Sequence, residues 1–522
     1  MQNMKKTLFL SITILTLLVA GAGCKKFLNL DPLSNLSGNN FWQTEADVDN
    51  YTNGLFELYR AATFRSNMKA EGGTDEFPFF AFSGDMRFAP IYEPSNSPWG
   101  RTYVQFLRTN NLNPIVRGTY NWGGNNWSDI FTTERFMNWD RLFKVVASAN
   151  ILVEEIEKVK ALTPEKKAKY RAEGVFMRNM AYFTMVRVFG DVPYYTNAYN
   201  SKALPRTPMV EVLKNCVADM AAYEKDLPWT YDDAARRAVR GMRGGALALL
   251  MHMNMWLASF DGGNALAHYN DAIAFGEELI KQNGGAYELI PYTNRQFRTV
   301  FRGRSKEGLF EMPQNSNYGE SFGWSFFSDH ITRYRINATE TRNTYLYYEQ
   351  KYLDEIYPVG QPDIRRSEWY EDIYSTTGRF WLTKYSNIFQ TENNSSYVDD
   401  SQIVFRLGES YLLLAEAYAN VGRSPEAITA LNTIRTRAGA TVYTGQPGDD
   451  LKKAIWYERC KELIGEGHFS YDMIRTKNVL DPKLSFGNSI SVEDYKNGAW
   501  TWPLSNAVRA NNPSIILNNY WN

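Results

Sequence analysis

Small and large apolar residues recur at helical spacing near the end of the chain. Ala415 and Ala427 place small side chains where two helices would cross, and Tyr418 and Leu431 fill the space beside them. The intervening stretch Gly422-Arg-Ser-Pro425 provides a turn and a capped start for the second helix. This pattern is typical of the paired helices of a tetratricopeptide repeat.

Similar pairs of amphipathic runs occur upstream, each broken by a segment that contains Gly or Pro. Stacked helix pairs cover the apolar face that each neighbour would otherwise expose, so an array of them predicts a curved right-handed superhelix. We therefore predict a mostly α fold with four tetratricopeptide-type helix pairs, at residues 45–60 with 139–159, 164–189 with 208–227, 236–260 with 265–282, and 403–420 with 424–437. Such an array by itself predicts a scaffold and no chemistry.

Three long insertions interrupt this helical pattern. Residues 61–138, 284–402 and 441–522 show little helical periodicity and are rich in Trp, Tyr, Asn and Gly. Segments of this length inside a folded protein are usually functional or form a subdomain. We predict that they build an irregular ligand-binding lobe within a single domain of residues 24–522.

The first 23 residues have the pattern of an export signal. Lys5 and Lys6 precede an apolar run over 8–20, which is too short to cross a bilayer. The following Gly21-Ala-Gly-Cys24 resembles a bacterial lipobox, so we predict that residues 1–23 are removed and that Cys24 is lipidated. Acyl chains, at about 0.8 kcal/mol per buried methylene, would hold the protein on a membrane. The alternative is an ordinary secretory signal with a cysteine near its end.

Composition narrows the possible partners. Basic and acidic residues number 57 each, so no net charge favours nucleic acid or an anionic membrane surface. Beyond Cys24 only Cys216 and Cys460 remain, which excludes a disulfide-rich scaffold and leaves open one disulfide or two buried free thiols. The aromatic content of 15%, with 33 Tyr and 14 Trp, is the unusual feature.

Enzymatic interpretations find little support. The four histidines, His252, His268, His330 and His468, show no spacing typical of a catalytic metal site. The glycine-rich stretch Gly241-Met-Arg-Gly-Gly245 lacks the lysine of a phosphate-binding loop. No sequence spacing fixes the carboxylate separation that a glycoside hydrolase needs. We predict no catalytic residue, no metal and no cofactor, and keep a surface glycan hydrolase only as a hypothesis to test.

Short motifs along the chain resemble those of a known family. They are Phe41-Trp42, Phe189-Gly-Asp-Val-Pro193, Arg406-Leu-Gly-Glu409, Glu458-Arg459, Glu462-Leu463, Glu466-Gly-His468, Tyr471-Asp472, Arg475 and Trp502-Pro-Leu504. Together they resemble the SusD/RagB outer-membrane lipoproteins of Bacteroidetes, which serve polysaccharide and peptide uptake. The resemblance implies a SusD-like fold and a SusC-like TonB-dependent outer-membrane transporter as partner, which the lipoprotein covers as a lid.

The resemblance also implies an outward-facing position on the outer membrane. Members exported to the surface often carry acidic residues directly after the lipidated cysteine. Here Lys25 and Lys26 follow Cys24, and the first acid is Asp31. The sequence directly after Cys24 therefore departs from the family pattern that accompanies an outward-facing position.

A glycan presents apolar C–H patches and a rim of hydroxyls, so its site needs aromatic platforms beside polar side chains. The insertions combine these residue types with glycine, and core packing is the alternative for any single tryptophan. The leading candidates are Asn96, Trp99, Arg101, Tyr120, Trp122 and Trp127. Position in the family adds Tyr318 and Trp324, and a matching stretch adds Asp75 and Glu76, which could accept hydroxyl hydrogen bonds or tie down a loop.

These observations predict a cell-surface lipoprotein that binds a glycan and delivers it to the transporter. Two alternatives stay open. One is a peptide-binding uptake lipoprotein of the RagB type, and the other is a tetratricopeptide scaffold for protein partners without a ligand of its own.

Overall fold

Helices dominate the computed structural model of the chain, which confirms the predicted mostly α fold. The structure describes residues 41–63, 84–92, 101–113, 137–313, 334–335, 341–342, 347–373, 380–385, 388–390, 396–398 and 400–522. None of the helices in these ranges combines the length and hydropathy of a segment that crosses a membrane. The predicted signal and Cys24 lie outside the described residues.

The longer helices lie in the N-terminal part of the chain and pack as neighbours. The elements there are α1 (Glu45–Thr63), β1 (Ile91–Tyr92), α2 (Arg101–Arg108), α3 (Asp140–Glu155), α4 (Pro164–Phe189), α5 (Met209–Tyr223), α6 (Arg243–Phe260) and α7 (Ala265–Lys281). Helix α3 packs against α1 and α4, α5 packs against α4 and α6, and α6 against α7. The helices predicted at these positions therefore meet as sequential neighbours.

Helix α4 forms the centre of this part of the molecule. It begins where the Thr163 side chain accepts the N–H of Lys166 and Pro164 occupies the first turn, and it ends at Gly190 with a φ of 75°. Every residue from Ala172 to Phe189 is buried. A helix that is covered all round in this way must lie inside the core.

The C-terminal part mixes short strands with helices. Its elements are α8 (Arg298–Arg302), β2 (Gly308–Met312), β3 (Tyr334–Arg335), β4 (Thr341–Arg342), β5 (Tyr347–Tyr348), α9 (Gln350–Ile356), α10 (Arg365–Glu368), β6 (Tyr370–Glu371), β7 (Trp381–Leu382), β8 (Ile388–Gln390), β9 (Ser396–Val398), β10 (Gln402–Arg406), α11 (Leu407–Asn420), α12 (Ser424–Arg437), α13 (Asp449–Glu462), α14 (Phe469–Arg475), α15 (Val492–Lys496) and α16 (Asn506–Asn511). The strands form antiparallel pairs, β1 with β5, β2 with β10, β3 with β4, β6 with β7, and β8 with β9.

The structure corrects the start of two predicted helices. Residues 403–406, predicted as helix, belong to β10, which pairs with β2. All residues of β10 are buried, so no polar and apolar alternation marked it as a strand. The helix predicted from residue 236 begins at Arg243, after a short 3₁₀ turn over Ala234–Arg236. The superhelical arrangement of the pairs stays a prediction.

The segment 441–522, predicted as irregular, contains the 14-residue helix α13. Its buried residues include Glu458, Arg459 and Glu462 as well as Leu451 and Ile455. Because charged residues occupy much of the buried face, a search for apolar periodicity does not detect this helix.

One hydrophobic cluster runs through the described elements from α1 to the C-terminal segment. It contains Trp139 and Trp256, which are 3% and 1% exposed, so both indoles serve core packing. Cys216 and Cys460 are both buried and free, so the disulfide left open by the sequence does not form.

Candidate functional site

The residues predicted to bind ligand fall almost entirely outside the described ranges. These are Asp75, Glu76, Asn96, Trp99, Tyr120, Trp122, Trp127, Tyr318 and Trp324. The backbone of Arg101 is described and begins α2. Their assignment to a binding site stays a prediction, and the described residues around them show how the insertions are anchored.

Strands β1 and β5 join the two insertions that contain the leading candidates. Ile91 pairs with Tyr348 and Tyr92 with Tyr347 in an antiparallel register. The chain leaves β1 toward Asn96 and Trp99, and it reaches β5 after Tyr318 and Trp324. The two aromatic-rich insertions are therefore hydrogen-bonded to each other at their bases.

Arg108 at the end of α2 ties a third segment to the same junction. Its Nη1 donates to the carbonyl oxygen of Ile91 at 3.1 Å and lies 2.5 Å from a carboxylate oxygen of Glu349. Its Nε donates to Asn488 at 3.2 Å. A charge-assisted bond of this kind is stronger than a neutral one, so α2 is held firmly against β1 and β5.

A group of buried and half-buried aromatic rings, the anchor cluster, packs together beside this junction. It comprises Tyr347, Tyr348, Tyr352, Tyr370, Phe380, Phe469 and Phe486. The ring of Tyr352 packs edge-on against Phe486 with centroids 4.7 Å apart, and Phe380 lies 5.7 Å from Tyr370. Burial raises the pKa of Tyr348 and Tyr352 well above the usual value, so both stay neutral phenols. Part of the aromatic excess thus serves the core.

Residues 84–92 dock on the C-terminal segment through buried polar groups. A carboxylate oxygen of Asp85 accepts the N–H of Gly467 at 2.7 Å. The Arg87 guanidinium donates to the carbonyl oxygens of Ala499 at 2.5 Å and Trp500 at 2.6 Å. Burial lowers the pKa of Arg87 to about 9. These bonds connect the first insertion to the last without involving a surface group.

The C-terminal motif residues form a buried set of ion pairs, the ionic network. Its members are Glu307, Asp363, Arg365, Lys384, Arg406, Arg437, Glu458, Glu462 and Glu466. Arg406 contacts Glu307 and Glu462 at 2.8 Å and Glu466 at 2.6 Å. Burial alone would raise the pKa of Glu462, but Arg437, Arg406 and Arg365 hold it well below its usual range.

The ionic network explains what the family motif does. Arg406, Glu462 and Glu466 are 0–1% exposed, and their charges are matched by partners inside the protein. Groups buried and paired in this way do not face a ligand. The sequence identified these residues as family markers, but only the fold brings together positions as distant as Glu307 and Arg437.

His252, Glu409 and His468 form a second buried cluster, which sequence spacing did not reveal. Their potential ligand atoms all lie within 4.8 Å of one another, a separation that can hold a metal ion. Glu409 already accepts from Arg459 at 3.1 Å, and Nε2 of His252 lies 3.2 Å from the same carboxylate oxygen. Burial lowers the pKa of His468 to about 4.

The positive charge of Arg459 argues against a metal ion at this cluster. A divalent cation bound to Glu409 would face the Arg459 guanidinium, which like charge disfavours. Burial would raise the pKa of Glu409, but His252 and Arg459 hold it well below its usual range. We interpret the cluster as a buried ion pair between Glu409 of α11 and Arg459 of α13, with the two histidine rings packed beside it.

A surface cleft of about 580 Å³ lies beside the C-terminal segment. Arg206 in its wall donates to the carbonyl oxygens of Asp191, Phe189 and Ile516, each at 2.7 Å. Its guanidinium is therefore committed to the backbone and holds the C-terminal segment in the wall of this cleft. A second cleft, of about 570 Å³, lies beside α12 and α13.

Comparison with known proteins gives consistent matches along the chain. A family model described as SusD family matches residues 329–521. Another, described as starch-binding associating with outer membrane, matches residues 90–252.

Solved structures and curated relatives cover nearly the whole length. A SusD homolog from Bacteroides thetaiotaomicron is 35% identical with a TM-score of 0.81, covering 93% of this chain and 100% of that one. Surface glycan-binding protein A from Bacteroides uniformis is 17% identical with a TM-score of 0.67, covering 91% and 100%, and shows the same fold. SusD-like protein P38 of Formosa agariphila is 25% identical over 92% of this chain and 93% of its own length.

Proposed function

The chain belongs to the SusD/RagB family of outer-membrane-associated binding proteins, and on this premise we propose that it captures a glycan at the cell surface. In this proposal Cys24 carries the lipid anchor, and a SusC-like TonB-dependent transporter receives the bound oligosaccharide. The protein binds and releases its ligand without cleaving it.

The pairing of β1 with β5 is the observation that carries this proposal. It places the bases of two aromatic-rich insertions side by side. Trp99 follows Tyr92 by seven residues, a length of chain that spans at most roughly 25 Å. We expect Trp99 and Trp324 to contribute to one surface, with Arg101, Asn96 and the remaining candidates at its edge.

The chemistry of the candidates favours a sugar over other ligands. Indole and phenol rings offer flat apolar faces to sugar C–H groups, and their polar edges reach hydroxyls. Amide, carboxylate and guanidinium groups nearby supply directional hydrogen bonds. One matching family is described as starch-binding and one similar structure as a surface glycan-binding protein, which supports the same ligand class.

Isothermal titration of the purified chain with polysaccharides and with peptides tests the ligand. We expect binding to at least one glycan, weakened tenfold or more, about 1.4 kcal/mol, in at least one of Trp99→Ala, Trp127→Ala and Trp324→Ala. The matched control is Tyr199→Ala, which removes a 66% exposed aromatic side chain between α4 and α5 and should bind like wild type.

Each other outcome has a defined meaning. Equal binding by all three tryptophan variants contradicts the site. Binding of peptides but no glycan replaces the ligand class, and silence toward both ligand classes alongside co-purification with a transporter favours a scaffold. Release of reducing sugar by the purified wild-type protein contradicts the binding-only mechanism.

The anchor and its orientation need a separate test in cells. We expect radiolabelled palmitate to enter the wild-type protein and not the Cys24→Ala variant. Protease added to intact cells should digest the anchored protein. Protection until the outer membrane is opened would place it on the inner leaflet. This control is needed because Lys25 and Lys26 follow Cys24 where acidic residues are expected.

A further inference from the structure

The second surface cleft, of about 570 Å³, is lined by more cationic than anionic side chains. Its walls are the turn after α9, the start of α10, residues 440–445 after α12, and the last turn of α13. Three cations line it, Arg366, Arg435 and Lys461, together with a single carboxylate, Asp363. We call it the cationic cleft.

The acidic groups nearest the cationic cleft are engaged on its inner side. Asp363 accepts from the Arg365 guanidinium through both carboxylate oxygens, at 2.9 and 2.8 Å. Glu458 is fully buried and accepts from Arg365 at 2.5 Å and from Nε of Arg435 at 2.9 Å. Their charge is therefore balanced within the protein, which leaves the cations on the side that opens to solvent.

Lys461 is the least satisfied of these cations. Its side chain is 11% exposed, and its Nζ lies 3.9 Å from the nearest carboxylate oxygen, on Asp363. The ammonium sits 5.5 Å from the centre of the Tyr357 ring. Within the described part of the chain its Nζ donates no hydrogen bond to an acceptor, and burial lowers its pKa. A nearly buried ammonium without an acceptor is costly, and an anion in the cleft would supply one.

Arg435 and Tyr443 complete the surface. The Arg435 guanidinium lies 5.7 Å from the centre of the Tyr443 ring, and only its Nε is committed to a carboxylate. Beside them Val442 is 45% exposed. A cation next to a partly exposed ring and an apolar side chain suits a ligand with both a charge and an apolar face.

We propose that the cationic cleft binds an anionic group on a sugar, a carboxylate or a sulfate ester, with Lys461 and Arg435 as donors. The identity of the ligand as a sugar rests on the proposed function, whereas the preference for an anion rests on the cleft itself. The cleft would thus add selection for charged glycans to the predicted aromatic platform.

Affinity electrophoresis of the purified full chain tests this with three polymers of one backbone: dextran, carboxymethyl dextran and dextran sulfate. We expect wild type to be retarded by at least one charged polymer and not by dextran at equal concentration. Lys461→Met should weaken that binding at least tenfold, since the thioether keeps the apolar stem over Tyr357 and removes the charge. Lys452→Met, an exposed position on the same helix, should bind like wild type.

The two charged arms distinguish carboxylate from sulfate recognition, and either one supports the proposal. Inorganic sulfate is added as a competitor. If it displaces dextran sulfate at the same concentration of sulfate groups, the site takes a free anion and the sugar part is overturned. Equal retardation of wild type, Lys461→Met and Lys452→Met, or none with either charged polymer, overturns the anion site.

The outcome is separable from the proposed function. If Trp99→Ala loses glycan binding while Lys461→Met behaves like wild type, the cleft proposal fails and the proposed function stands. If Lys461→Met alone loses binding to charged polymers and no tryptophan variant affects any glycan, the cleft stands and the aromatic platform fails. Circular dichroism of Lys461→Met should match wild type and its unfolding temperature should be equal or higher, because no described carboxylate depends on this ammonium for a hydrogen bond.

Discussion

The ionic network and the cationic cleft meet at the last turn of α13 and use the same side-chain types in different ways. Glu458 and Glu462 point into the network and are 0% exposed, with guanidinium partners at 2.5 to 2.9 Å. Lys461, one residue before Glu462, has its nearest carboxylate at 3.9 Å and faces an open cleft. Complete pairing of buried charges serves the fold, whereas a cation left short of partners is available to a ligand.

The same contrast explains the C-terminal motif. The residues that mark the family bond to partners inside the protein: Arg406 donates to Glu466, and Arg459 donates to Glu409. The residues predicted to bind ligand lie in the insertions 61–138 and 284–402, outside the C-terminal motif. The following variants break or sharpen this division between charges that stabilise the fold and side chains that bind.

Arg406→Met should have the largest effect on stability. It leaves the carboxylates of Glu307, Glu462 and Glu466 buried without their shared cation. Breaking a buried ion pair by removing one partner costs about 3–5 kcal/mol, measured as the free energy of unfolding in guanidinium chloride. Arg423→Met, which breaks an exposed pair with Glu426, should cost at most about 1 kcal/mol. Similar losses in the two variants would refute the structural role of the network.

Glu311→Gln tests a buried acid that lacks such pairing. Burial raises the pKa of Glu311 from 4.5 to about 7. The folded state therefore keeps the proton while the unfolded state loses it, so the contribution of Glu311 to wild-type stability falls as pH rises from about 4.5 to 7 and is then constant.

The amide cannot ionise, so the variant lacks this decline. Relative to wild type it should gain roughly 3 kcal/mol in free energy of unfolding between pH 4.5 and 8. Urea unfolding at a series of pH values measures the difference. Glu288→Gln, at a half-exposed position, should follow the wild-type profile. A constant difference between Glu311→Gln and wild type across this range would show that Glu311 titrates normally.

Gly84→Ala tests the docking of the first insertion on the C-terminal motif. A Cβ at this position would overlap the carbonyl oxygen of Gly467, and backbone atoms cannot move aside easily. We expect a loss of about 1–3 kcal/mol in thermal or denaturant unfolding. Gly54→Ala, in α1 with nothing within 4 Å of the added Cβ, should instead stabilise by up to about 1 kcal/mol. A neutral Gly84→Ala would show that this contact is loose.

The sequence predicted those parts of the fold whose signals are local. Helix α4 was predicted at its observed bounds, because Thr163 and Pro164 mark its start and Gly190 its end. Helix α13 was not predicted, since its buried face carries Glu458 and Glu462. Strand β10 was taken for helix because it is buried on both faces.

Local composition predicted the region of the candidate site but not which residues form it. Clusters of Trp, Tyr, Asn and Gly indicate where a glycan site belongs, but one indole differs from another only by its surroundings. The core role of Trp256 follows from its helical context, whereas Lys461 sits in a helix that apolar periodicity did not reveal. Contacts such as Glu307 with Arg437 join distant positions and exist only in the fold.

Hydrogen exchange with and without a bound glycan most directly tests the division between insertions that bind ligand and a C-terminal motif that stabilises the fold. Using a neutral glycan that titration shows to bind, which has no charged group for the cationic cleft, we expect slower amide exchange in peptides covering 93–136 and 314–346. Peptides covering 403–437 and 449–475, which contain most of the ionic network, should exchange alike in both states. Protection confined to the latter peptides, with none in the insertions, would contradict the assignment of binding to the insertions and of stability to the motif.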